Sequence, residues 1–282
     1  MRGDSLSYCA QELRAQDRDR FLVCLFAPAE RREALFALYA FNLEVAKTAE
    51  LVSESTLGQI RLQWWREALE EIYRGGAPRQ HQVVTPLATA IREHGLDSAV
   101  FERLLLAREA DLDPAAPGDL AELERYAAET SATLQSLALA VLGCEGDAAE
   151  AAARHVGIAW ALTGLLRAIP FHARQKRLYL PEDHLAVTGV RTAELFELQG
   201  SDALSGVVMR LVKRAREHLA EARRLRGEVP RSALPALLLA RLADGYLARL
   251  ERAAFDPFDP RVQLELPNRA LRLWWSAWRG IY

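Results

Sequence analysis

Apolar residues recur at spacings of three and four along almost the whole chain, the period of an amphipathic helix rather than of a strand. Between Arg31 and Lys47, the residues Leu35, Leu38, Tyr39, Asn42 and Val45 mark one face, about a third of the cylinder wide. A second helix is predicted from Thr56, where Thr56-x-x-Gln59 has the form of a capping box. It carries Ile60, Trp64, Leu69 and Tyr73, and Gly75, Gly76 and Pro78 stop it. The same pattern predicts helices over Pro86–His94, Ser98–Asp111, Leu120–Leu142, Asp147 to about Ala168, Leu204–Leu225, Leu234–Ala253 and Pro267–Trp278. Alternating β-branched runs bounded by turns are nearly absent. The stretches rich in Pro and Gly, at 74–86, 112–119, 226–235 and 255–260, are short enough to join helices within one body. The expected architecture is therefore all-α, a single-domain helical bundle spanning 1–282.

Composition narrows the function classes. The chain has 282 residues, half of them apolar, enough to bury a large core. Its 36 basic residues are offset by 38 acidic ones, so no nucleic-acid partner is expected. Cys9, Cys24 and Cys144 are widely spaced and odd in number, which suits reduced thiols better than a disulfide framework or a zinc site. The first twenty residues are charged throughout and contain no apolar signal segment. No purely apolar run, Ala233–Ala240 with its Pro235 included, approaches the ~18–20 residues that cross a bilayer. The expectation is a cytoplasmic protein with, at most, peripheral contact to the inner membrane.

Candidate chemistry is sparse. Neither a Gly-x-Ser-x-Gly elbow nor a P-loop occurs. His155 and His218 have no partner at i+4 and carry no metal signal. No catalytic residue and no metal ligand is assigned. Arg167, Arg174, Lys176 and Arg177 cluster around a helix end. They fit a solvated turn favoured by the helix dipole, or an anion site for a phosphate-bearing lipid. The tail Leu271-Arg272-Leu273-Trp274-Trp275-Ser276-Ala277-Trp278-Arg279 also has two readings. Trp274, Trp275 and Trp278 either dock on the bundle, the reading the short segment favours, or lie at a membrane surface.

A helix from Ala161 to Arg174 followed by Tyr179-Leu180-Pro181 resembles the second signature of the squalene and phytoene synthases. Pro28-x-x-x-Arg32 with Ala37-Leu38-Tyr39-Ala40-Phe41 is similar to the approach to their first signature. Arg61-x-x-x-Trp65-Arg66 is similar to the helix that follows it. The resemblance implies an isoprenoid synthase bundle with a central cavity, in which two acidic helices hold Mg²⁺ against substrate diphosphates. Aligned without a gap, the acidic places of the first signature are held by Ala46, Lys47 and Glu50, and those of the second by Ala168, Phe171 and His172. Five of the six acids are lost, so no cofactor is expected, and Mg²⁺ would matter only to a working synthase. His172 reads as a polar lining residue. Tyr39, Phe41 and Trp65 read chiefly as core. The candidate pocket or anion-binding residues are Tyr39, Asn42, Glu44, Arg167, Arg174, Arg177 and Tyr179.

Ala40 to Ala46, then Val52-Ser53-Glu54-x-Thr56-Leu57-Gly58, resemble more closely the assembly factor six family of mitochondrial respiratory complex I. So do Gln63-Trp64-Trp65, Leu123-Glu124-x-Tyr126-Ala127 and Arg167-Ala168-x-Pro170-Phe171-His172. Without a transit peptide, the chain is expected to be a bacterial counterpart. The family role implied is a non-catalytic protein at the inner membrane, with a complex I subunit or assembly intermediate as partner. Two alternatives stay open: a prenyl-diphosphate transferase of the squalene or phytoene type, and a carrier for an isoprenoid or phospholipid ligand.

Overall fold

The computed structural model describes residues 6–52, 54–113 and 115–282. Ser53, in one of the motif runs above, and Pro114, in the predicted 112–119 loop, lie outside them. Helices α1 (Tyr8–Gln16) and α2 (Arg18–Cys24) open the chain, capped by the Ser7 and Asp17 side chains. They lead into α3 (Ala29–Ala46), which is not the one-faced helix of the pattern. Its nine consecutive residues from Ala34 to Asn42 are buried, because α1, α6 (Val84–His94) and α9 (Thr133–Leu142) cover it from several sides.

A short α4 (Thr48–Leu51) precedes α5 (Ser55–Tyr73). The capping box does not form, since Glu54 occupies the cap position and no side chain bonds the first turn. The inner stripe of α5 is Leu62, Trp65, Leu69 and Ile72; Ile60 and Tyr73, expected inside, are exposed. Phe41 meets Trp65 and Phe101 edge-on, with ring centroids 5.2 and 5.4 Å apart, and these rings fill the centre of this half.

Helix α7 (Ser98–Glu109) ends in a 3₁₀ turn, Ala110–Leu112. The predicted Leu120–Leu142 helix is three pieces: α8 (Leu120–Ala127), a π-helical turn over Ala128–Ala132, and α9. Helix α10 (Asp147–Arg174) runs past its expected end and through Pro170. Proline costs a helix one N–H bond and clashes with the preceding turn, but Pro170 lies in the last turns and is itself buried. By length and composition α10 could cross a membrane, contrary to the run-length expectation. It is instead the central post of the bundle, flanked by α9, the π turn, α13 (Asp202–Arg224) and α15 (Leu239–Arg252).

Two short helices, α11 (Glu182–Thr188) and α12 (Thr192–Phe196), bridge α10 to α13. After α14 (Leu234–Leu237) and α15, the small α16 (Pro260–Gln263) leads to α17 (Arg269–Arg279). No strand occurs among the described residues.

The π turn touches α10 at Gly157, where an added Cβ would stand 2.5 Å from the Ala132 Cα and 2.8 Å from its N. Both atoms are backbone and cannot swing aside. Gly157→Ala should therefore lower the unfolding free energy by about 1–3 kcal/mol, measured by urea titration. An unchanged midpoint would mean that α8–α9 can slide on α10.

Candidate functional site

The segments carrying the two altered signatures face a common centre, and the residue that occupies it is Asp111. Its Oδ1 accepts hydrogen bonds from the hydroxyls of Tyr126 (2.6 Å) and Tyr179 (3.0 Å). Its Oδ2 accepts from Arg108 Nη1 at 3.0 Å, and the same Nη1 donates to the Tyr126 hydroxyl at 2.9 Å. Four elements meet here: α7 gives Arg108, its 3₁₀ extension Asp111, the end of α8 Tyr126, and the turn after α10 Tyr179. The π turn begins two residues after Tyr126, whose carbonyl accepts from the Thr130 hydroxyl at 2.7 Å.

The ring of His172 lies 4.5 Å from that of Tyr179, and the Tyr179 ring lies 5.9 Å from that of Tyr126. Burial, reinforced by the Arg177 charge, pushes the His172 imidazole down to about 4, although Asp111 acts in the opposite direction. His172 is thus neutral near pH 7. Burial likewise raises both tyrosines. Glu50 belongs to the same neighbourhood: burial and the Asp111 charge raise it, against Lys47, Arg177 and Arg108. Arg177 Nη2 donates to the Asp113 carbonyl at 3.3 Å, and the N–H groups of Glu182 and Asp183 donate to Pro117 and Gly118. The loop after Asp111 is thereby strapped to the turn of the second signature. The space enclosed by His172, Arg177, Tyr179, Leu180 and Leu195 is only about 10 Å³.

Of the residues singled out from sequence, Lys47, Glu50, His172, Arg177 and Tyr179 share this neighbourhood. The others do not. Tyr39 is buried away from any opening, donating to Gln135 Oε1 at 3.2 Å beneath the Arg20 guanidinium. Asn42 is buried, and its Oδ1 has no partner. Glu44 pairs with Arg61 at 2.6 Å and lines a separate apolar groove of about 450 Å³ with Leu57, Ile60 and Trp64. Arg167 turns toward α15, its guanidinium stacked 3.6 Å from the Tyr246 ring centroid, so it does not join Arg177. Arg174 is exposed, Phe171 is 42% exposed, and Ala46 and Ala168 are half-buried.

Arg108, Asp111 and Tyr126 were absent from the sequence reading as site residues. So was the contact between His155 and His218, whose Nδ1 atoms lie 2.9 Å apart. His218 Nε2 donates to Glu124 at 3.3 Å, so its Nδ1 accepts from His155.

The squalene/phytoene synthase sequence profile matches residues 13–270. The chain belongs to the squalene/phytoene synthase family. A Bos taurus protein described as NADH dehydrogenase (ubiquinone) complex I, assembly factor 6 is 34% identical over 275 residues, covering 98% of this chain and 82% of that protein. The presqualene diphosphate synthase of Rhodopseudomonas palustris is 31% identical over 212 residues, 74% of each chain. Among solved structures, a dehydrosqualene synthase in complex with ligand shares the fold, with a TM-score of 0.83 at 20% identity, over 96% of this chain and 94% of that one.

The Mg²⁺ implied for the squalene/phytoene synthase family needs several converging oxygen ligands. Among the described residues no three His, Cys, Asp or Glu side chains converge in a metal site. Both Asp111 oxygens are already engaged by two hydroxyls and a guanidinium. The residues present do not fit the ion.

Proposed function

We propose that this chain assists the assembly of respiratory complex I, the NADH:quinone oxidoreductase, and does not itself couple prenyl diphosphates. The observation that carries the second half is the Asp111 network. Where facing acids would grip diphosphate through metal ions, this chain sets one carboxylate bonded to Arg108, Tyr126 and Tyr179. Lys47 and Arg177 add fixed positive charge around it. A unit cation a few ångströms from either would be repelled by roughly 1 kcal/mol in water and by several when partly buried, which offsets the pull of Asp111 and Glu50. The first half rests on the assembly-factor relatives, matched over nearly the whole of this chain. The partner is then a complex I subunit or an assembly intermediate.

Two measurements test the reading. Purified protein given farnesyl or geranylgeranyl diphosphate with Mg²⁺ should release no pyrophosphate above a protein-free control. Steady turnover would instead favour prenyl transfer, the class to which the presqualene relative belongs. Deleting the gene, in a strain without close paralogues, should lower assembled NADH:quinone oxidoreductase activity in isolated membranes. An unchanged level would remove the assembly role.

A further inference from the structure

Helix α17 turns its more apolar side outward. At about 100° of rotation per residue, Arg269, Leu273 and Ser276 share the side turned into the protein, and all three are buried. Leu271, Trp274, Trp275 and Trp278 fall within an arc of about 100° on the opposite side, where they are 63%, 55%, 47% and 65% exposed. The rings do not dock on the bundle, the reading favoured by sequence. Trp275 and Trp278 lean on each other instead, with centroids 5.3 Å apart. Leu264, just before the helix, is also exposed, at 59%.

This outer face is rigidly presented. Arg269 Nη1 donates to the buried Asp19 at 2.7 Å, and Asp19 also accepts from the Tyr246 hydroxyl at 2.6 Å. Beyond the far end of the helix, the Tyr282 hydroxyl donates to the Ala222 carbonyl at 3.0 Å. The helix is clamped at both ends with its tryptophans outward.

The surroundings are cationic. Arg272 and Arg279 fall together at one edge of the Trp arc, and the Arg279 guanidinium lies 5.7 Å from the Trp275 ring centroid. Arg249 donates to the Leu264 and Glu265 carbonyls. Arg167, Arg252 and Arg272 stand close enough that, after burial, their charges help depress the Arg249 guanidinium. Arginines elsewhere, such as Arg66, Arg79 and Arg216, pair with carboxylates. Among the described residues, Arg167, Arg249, Arg252, Arg272 and Arg279 have none within 4.0 Å.

Indole rings on a convex ridge, bordered by uncompensated guanidiniums, match the boundary between lipid headgroups and acyl chains. A protein partner would have to be both concave and strongly acidic; an anionic leaflet supplies the charge without a shaped groove. We infer that the outer face of α17 is a docking surface for an anionic phospholipid bilayer, with Leu271, Trp274, Trp275 and Trp278 inserted at the boundary and the bordering arginines on lipid phosphates. This does not depend on the assembly reading.

The test is co-sedimentation of the full chain with vesicles of phosphatidylcholine alone or mixed with phosphatidylglycerol. The wild-type chain should bind the mixed vesicles, with less binding at high salt, and bind the neutral ones far more weakly. The triple variant Trp274→Ser, Trp275→Ser, Trp278→Ser should lose roughly tenfold or more in partitioning while keeping its thermal melt. If that variant loses its native melt, quenching of wild-type tryptophan emission by brominated acyl chains reads the same contact. No binding by the wild-type chain, equal binding to both vesicle types, unchanged binding of the folded triple variant, or unquenched emission overturns the inference.

Discussion

Asp111→Ala should lower the unfolding free energy by about 3–5 kcal/mol, because it breaks a buried ion pair by removing one partner. The Asp111 and Arg108 side chains are only 6% and 15% exposed, so removing the carboxylate strands a guanidinium in a poorly solvated place. Two tyrosine hydroxyls lose their acceptor at the same time. The loss comes from uncompensated burial more than from any net attraction within the pair, because desolvating two charges offsets most of their mutual gain. Asp111→Asn keeps an acceptor but not the charge, and should fall between wild type and Asp111→Ala. Tyr179→Phe removes one hydrogen bond to a charged group and should cost about 1.5–3 kcal/mol. Urea unfolding followed by far-UV circular dichroism orders the three variants. If Asp111→Ala unfolds at the wild-type midpoint, the network does not hold the two signature segments together.

Sequence made the helical architecture legible because helix period is local: a spacing of three or four survives without knowledge of what lies opposite. The family resemblance places Lys47, Phe171 and His172 where acids are expected. The group at the centre between them was not legible. Asp111 is the last residue of a predicted helix and precedes a Pro-rich loop, where an aspartate ordinarily reads as a local end or turn residue. Its partners Tyr126 and Tyr179 stand 15 and 68 positions away. Helix α3 was misread as one-faced although Ala34 to Phe41 is an unbroken apolar run, itself a signal of a helix covered on all sides. The tail reads wrongly because an apolar side is expected to face the bundle, whereas the bundle takes the side of Arg269, Leu273 and Ser276, with Arg269 held by the distant Asp19. Arg167 and Arg177 look adjacent in sequence, yet Tyr246 draws the first to α15 while Asp113 holds the second beside the tyrosines.

Acidification should weaken the fold through His172 well before general acid unfolding. Its imidazole titrates near 6.5 in an unfolded chain and is pushed down to about 4 in the folded one, chiefly by burial. Between those values the unfolded state binds more protons, so stability rises with pH across the window. The contribution is fully present above about pH 6.5 and is lost as pH falls through about 4, worth at most about 3 kcal/mol. His155 and His218, both lowered by burial, act with the same sign, and their Nδ1 contact cannot persist with both rings charged. Glu50, raised by burial, opposes them as the carboxylate range is reached. His172→Phe isolates one component. Phenylalanine removes the titrating group but is the larger ring in a site with only about 10 Å³ to spare, so stability near pH 7 should fall by about 1–3 kcal/mol. The slope of unfolding free energy against pH between 6.5 and 4.5 should then flatten by up to one proton's worth relative to wild type. Parallel slopes for the two proteins would show that protonating His172 in the folded state costs nothing, and that the ring reaches solvent rather than sitting against Tyr179.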